Sequence, residues 1–141
     1  MSCTVGSSAP GHVERAQRGK LQALFDPAVE LRGQWLRPGM HVTAVGADTP
    51  GKQELEAECL ARADRVVVDR LAQCARFGEL SHALAAGLMS EAGVWAQLGE
   101  IVAGRKAGRT GGDQITICDL TGVGFQDTAI AALAWNEARD R

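Results

Sequence analysis

Asp48 and Lys52 stand four residues apart in Gly46-Ala47-Asp48-Thr49-Pro50-Gly51-Lys52, a carboxylate and an ammonium around what reads as the turn between a strand and a helix. An acid at the carboxyl end of a strand can serve as a general base, and a lysine in the first helical turn can neutralise a phosphate or carboxylate. The plainer alternative is that Asp48 caps the helix while Lys52 is solvated. Residue type and spacing leave both open. A second candidate, Gly122-x-Gly124-x-x-Asp127, follows a strand-like run and opens a helix, as a phosphate-binding loop does. Asp127 replaces the third glycine, and only positions 128 to 141 follow it, too few for another strand and a ribose-binding acid. A turn presenting backbone groups to a ligand suits it better.

Other reactive side chains carry weaker signals. His41 lies in a strand-like run and reads as a buried, hydrogen-bonded histidine, and His82, at a helix start, as a surface one. Neither has a second histidine or a cysteine at ligand spacing. Arg105, Lys106 and Arg109 form a basic loop that could meet an anion, although such a turn is more often solvated. Cys3, Cys59, Cys74 and Cys118 are scattered without a C-x-x-C pair, so thiols are expected and a metal site is not.

The elements that position these groups follow from pattern. Met40 to Gly46 is short, rich in β-branched residues and bounded by Pro38-Gly39 and a glycine, which predicts a strand. Asp48-Thr49-Pro50 then supplies caps for a helix over about 50–62, where Leu55, Cys59 and Leu60 recur at helical spacing. Val66-Val67-Val68 has the look of a strand buried on both faces. Strand, helix and strand make one crossover unit, whose loops gather at the strands' carboxyl ends, so 46–49 should lie on a ligand-facing rim. Helical pieces broken near Phe77-Gly78, Gly87 and Gly93 fill 71–103. A strand at Ile115 to Cys118 precedes an alanine-rich closing helix over 128–138. Residues 1–23 read as a loose N-terminal arm.

Length and charge bound the partners. The chain has 141 residues, 45% of them hydrophobic, with 15 basic against 17 acidic side chains, which fits one domain able to hold a core without disulfides or metal. That balance supplies no electrostatic footprint for nucleic acid or an anionic membrane. No apolar run approaches the ~18 residues of a membrane span, and no signal peptide is evident at the start, so a cytoplasmic protein is expected.

Trp35 through Leu55, including Arg37-Pro38-Gly39-Met40-His41-Val42 and Gly46 through Lys52, resembles the ornithine cyclodeaminase/mu-crystallin family. Ala63 to Asp69, Phe77-Gly78-Glu79-Leu80, Leu98 to Arg105 and Ile115 to Gly124 resemble later motifs of the same family, in order. The resemblance runs from about Leu24 to Arg141 and matches the carboxyl-terminal part of those enzymes. It implies a Rossmann-type α/β fold, NAD or NADP as cofactor, a small amino or imino acid as substrate, and hydride transfer at that substrate's α-carbon. By resemblance, Asp48 is the catalytic carboxylate that handles protons around the substrate amine. Lys52 and Thr121 would then contact the cofactor, and Gly122 the substrate through its backbone.

Two departures shape the expectation for this chain. Nothing in it resembles the family's amino-terminal substrate domain, and the strand followed by Gly-x-Gly that binds the pyrophosphate is absent. The phosphates would lose their main electrostatic partner, so tight cofactor binding by the chain alone is not expected. The chain therefore reads as a truncated Rossmann-like domain over 24–141: a three-layer unit with about three parallel strands and a long C-terminal helix. It should be incomplete and inactive alone. The strand at 40–46 would have an open edge, which predicts a homo-oligomer, a complementing chain, or cover by Leu21 to Leu36. The alternative is a noncatalytic binding or assembly module on the same half-fold.

Overall fold

The computed structural model describes residues 4–7 and 29–139. Its strands are β1 (Thr4–Ser7), β2 (Met40–Ala44), β3 (Arg65–Val68), β4 (Ala96–Gln97) and β5 (Thr116–Asp119). The α-helices are α1 (Ala57–Arg62), α2 (Leu71–Cys74), α3 (Glu79–Ala85), α4 (Leu98–Val102) and α5 (Gly124–Arg139), and short 3-10 turns lie at Gly33–Trp35 and Glu91–Gly93.

The sheet order is β1-β2-β5-β3-β4. From β2 to β4 all strands run parallel, giving four parallel strands where the apolar runs predicted about three. The fourth, Ala96–Gln97, is too short to leave a sequence pattern. The last strand enters the middle: β5 pairs with β2 through Ala44↔Asp119 and with β3 through Val68↔Asp119. The β2, α1 and β3 segments thus form a crossover with a gap that β5 fills. Burial follows this order, since Thr116 to Asp119 are all buried and a central strand has neighbours on both edges.

Val42 and Ala44 of β2, Val66 and Val68 of β3 and Ile117 of β5 turn to one face, where Leu36, Leu55, Cys59, Leu60, Cys74, Leu80 and Ala83 complete the core. There α1 packs against α3, and α2 against α3. A third layer would need α5 on the opposite face, but α5 buries none of its residues.

The open edge expected at β2 is occupied by β1, which runs antiparallel to it with Val5↔Val42 in register. Four residues assigned from sequence to the loose arm are therefore strand. Of the cover expected from Leu21 to Leu36, residues 21–28 lie outside the described residues. Leu31, bridged to Leu55, and Leu36 serve the core instead. The helix expected over 50–62 begins only at Ala57. Thr49 to Gly51 turn instead, Gly51 taking φ +83°, a left-handed conformation that a glycine adopts at little cost.

Candidate functional site

Adjacent parallel strands deliver their following loops to the same rim, and the segments after β2 and β5 do so here, Leu120 N–H donating to Ala44 O at 2.9 Å. Asp48 and Lys52 lie on the first loop. Lys52 Nζ donates to Asp48 Oδ1 at 2.6 Å, with both side chains about half exposed, at 55% and 44%. With the helix starting at Ala57, Asp48 does not cap it, and Lys52 is outside its first turn. The hydrogen bond from Lys52 holds the Asp48 carboxyl below the usual carboxylate range, so at neutral pH it is an ionised acceptor.

Thr121 and Gly122 lie on the second loop, held by Asp69 at the end of β3. Thr121 Oγ1 donates to Asp69 Oδ1 at 3.0 Å, and Gly122 N–H to Oδ2 at 2.8 Å. Asp69 Oδ1 also accepts from Arg70 N–H at 2.7 Å and from the Cys74 thiol at 3.1 Å. Thr121 is buried; Gly122 is exposed, takes φ +81° and has open space where a side chain would stand. Its N–H is thus committed to Asp69, and its carbonyl accepts from Gln73 Nε2 at 2.7 Å. The four residues form two pairs on one rim, Asp48 with Lys52 and Thr121 with Gly122.

Beneath the rim lies a set of carboxylates. Glu79 accepts the N–H groups of Glu54 and Leu55 at 2.7 and 2.9 Å. Glu54 Oε2 in turn accepts those of Val45 and Gly46 at 3.1 and 2.8 Å. Asp119 Oδ2 accepts Leu80 N–H at 2.9 Å, while its buried Oδ1 has no hydrogen-bond partner among the described residues. Burial pushes Glu79 up to about 7 and Asp119 up to about 6, outweighing the N–H groups that favour their ionised forms. Gly78 at φ +145° lets the chain pass this cluster: a Cβ there would stand 2.8 Å from Thr121 Cγ2 and 2.9 Å from Asp119 Oδ2.

Sequence reasoning missed Glu54, Asp69, Glu79 and Asp119 as a group. The available signal was an acid ending each apolar run, Val66-Val67-Val68-Asp69 and Ile115-Thr116-Ile117-Cys118-Asp119, where solvent-facing ends would carry either charge.

The remaining candidates are structural. His41 is exposed rather than buried, bonded through Nδ1 to Thr116 Oγ1 at 2.7 Å and through Nε2 to Thr43 Oγ1 at 3.1 Å. His82 Nε2 donates to Lys52 O at 2.8 Å. In the basic loop, Lys106 Nζ donates to Trp95 O at 2.5 Å and Arg109 Nη2 to Met40 O at 2.8 Å, so both pin the chain. The thiols of Cys59, Cys74 and Cys118 are buried and form no disulfide among the described residues; Cys3 lies outside them. Among the described residues, no helix is long and apolar enough to cross a membrane.

A parallel sheet of this order, with acid, lysine and glycine loops at the carboxyl ends of neighbouring strands, defines part of a Rossmann-like α/β fold. The chain belongs to the ornithine cyclodeaminase/mu-crystallin family, whose model matches residues 22–141. It is 51% identical over 111 residues to an uncharacterized cyclodeaminase of Sinorhizobium fredii, covering 79% of this chain and 34% of that protein. A solved archaeal alanine dehydrogenase dimer with bound NAD superposes with a TM-score of 0.70 at 37% identity, over 80% of this chain and 38% of that one. The Δ1-pyrroline-2-carboxylate reductase of Thermococcus litoralis, solved with NADH and L-proline, gives a TM-score of 0.73 at 29% identity, over 80% and 35%. This chain thus spans about a third of the length of these relatives.

Proposed function

We propose that this chain supplies the nicotinamide and substrate side of an NAD(P)-dependent site for a small amino or imino acid, and that the site is completed by a complementing chain or a second copy. The observation that carries the reading is the rim itself: an ionised Asp48 held by Lys52 after β2, beside Thr121 and Gly122 after the neighbouring β5. The relatives' bound cofactors, NAD in one and NADH in another, support the choice of cofactor.

The residues present fit the nicotinamide end. Gly51, Gly122 and Gly124 leave open space along the rim, and Lys52 is a half-exposed cation beside it, paired with Asp48. The pyrophosphate end is not matched: at the start of α5, Val123 N–H faces the chain's own Gln126 Oε1 at 3.4 Å. When bound, the nicotinamide would give or take a hydride at the substrate α-carbon. Asp48 would accept the substrate amine's proton, Lys52 would keep that carboxylate ionised between turnovers, and Asp69 would hold Thr121 and Gly122 in place.

The completing partner is supported by α5. Phe125, Ile130, Leu133 and Trp135 are 62–69% exposed, and at 100° per residue they are distributed around the helix rather than along one stripe. A helix apolar on several sides is normally enclosed by protein. The same surface favours the second reading, a noncatalytic assembly module.

Saturation-transfer NMR with NADH tests the choice. Expected are stronger signals from nicotinamide than from adenine protons at millimolar NADH, weakened by Lys52→Ala. Equal or absent signals would leave assembly through α5 as the function.

A further inference from the structure

Glu79 is 1% exposed, and burial of a carboxylate is costly unless its hydrogen bonds serve some end. Its two oxygens are spent on consecutive main-chain N–H groups, those of Glu54 and Leu55, in the irregular segment before α1. Glu54, itself 7% exposed, spends Oε2 on another consecutive pair, Val45 and Gly46, where β2 ends and the Asp48 loop begins. Gly46 O then accepts Asp48 N–H at 3.0 Å. The close fit of Glu54 leaves no room beside Gly46, where a Cβ would stand 2.1 Å from Glu54 Oε1. One turn along α3 from Glu79, His82 holds the far end of the same loop through Lys52 O. Helix α3 therefore grips the loop at both ends, once through a buried relay of two carboxylates and once directly.

We propose that Glu79 is a positioning residue for the Asp48–Lys52 loop, acting through Glu54. The proposal rests on Asp48 being a site residue, as argued above. The relay places no charge against a substrate. It fixes the main chain from which Asp48 and Lys52 project, and so sets the 2.6 Å contact between them. A neutral amide in place of Glu79 turns one of its two acceptors into a donor, which cannot receive the N–H it faces. Loss of that bond frees the Glu54 segment, and the looser Glu54 no longer holds Val45 and Gly46.

The test uses the whole chain without cofactor, so that its outcome is independent of whether NADH binds. Amide hydrogen exchange is followed at pH 8, where the Glu79 carboxyl is ionised, at Val45 and Gly46, with Val42, Val68 and Ile117 of the sheet as internal reference, and the carbon-13 shift of the Asp48 carboxyl is read at the same pH. In Glu79→Gln, exchange at Val45 and Gly46 is expected to quicken about tenfold relative to the reference amides, the scale of one lost hydrogen bond. The Asp48 carboxyl shift should move toward the value it takes in Lys52→Ala as its contact with Lys52 loosens. Should Glu79→Gln not fold, Glu54→Gln serves, with the same two changes expected. Unchanged relative exchange and an unmoved Asp48 carboxyl shift in the folded variant would overturn the relay. Absent nicotinamide signals from NADH, with the relay intact, would overturn the functional reading alone.

Discussion

The Asp69 carboxylate ties the ends of two strands together, accepting the Thr121 hydroxyl at 3.0 Å across 52 residues of chain and the next main-chain N–H, that of Gly122, at 2.8 Å. It is 7% exposed and also takes the N–H of Arg70 and the thiol of Cys74, so its removal strands several donors at once. Each buried donor left without an acceptor costs about 1–3 kcal/mol. Asp69→Ala should therefore lower unfolding stability by roughly 3 kcal/mol or more, read from the urea midpoint at constant slope. A shift below 1 kcal/mol, estimated on the same scale as about one hydrogen bond, would mean that solvent reaches these groups without cost.

Stability should fall as pH rises through the range between ordinary carboxylates and the buried pair. Asp119, raised to about 6, and Glu79, raised to about 7, hold protons in the folded chain that the unfolded chain has released. The folded state then binds more protons between about pH 4 and pH 7, so the unfolding free energy declines across that window and levels above it. Of the groups facing them, Glu54 adds repulsion at Glu79 and Asp69 at Asp119, whereas the Cys74 thiol, which burial keeps neutral, opposes the rise at Asp119. Asp119→Asn keeps an oxygen for Leu80 N–H and removes the charge. It should flatten the decline and raise stability at pH 8 by about 1–2 kcal/mol. Urea midpoints at pH 5.5 and pH 8 in both proteins check this, and a parallel decline in the variant would place the titration elsewhere.

The apolar surface of α5 should drive association. Light scattering across concentrations is expected to give a mass above that of the 14.9 kDa chain, and Ile130→Glu with Leu133→Glu should return it toward the monomer. A monodisperse monomer at every concentration would remove α5 as a self-association surface and leave a different chain as its cover.

The strands at 40–44, 65–68 and 116–119 were legible because each is a β-branched run closed by turn residues, and the closing helix because alanine dominates it. Ala96–Gln97 was not, since two residues carry no period. Pro50 suggested an early helix start, but the six residues from Gly51 to Glu56 are occupied by a glycine turn and by the hydrogen bonds of Glu54 and Leu55, so the helix waits until Ala57. The Thr4–Ser7 strand was hidden because an edge strand is stabilised by its neighbour's N–H and C=O groups more than by its own side chains.

By itself the sequence determined the α/β class, the family, and the rim residues Asp48, Lys52, Thr121 and Gly122 as candidates, because local runs, turns and short motifs are written in adjacent positions. Only the tertiary structure decided that β5 enters between β2 and β3, and hence that Asp69, Glu79, Glu54 and Asp119 meet beneath that rim. The reason is physical: an acid at a strand end has the same local pattern whether it faces water or a buried main-chain N–H, and the choice between them depends on which strand closes the sheet.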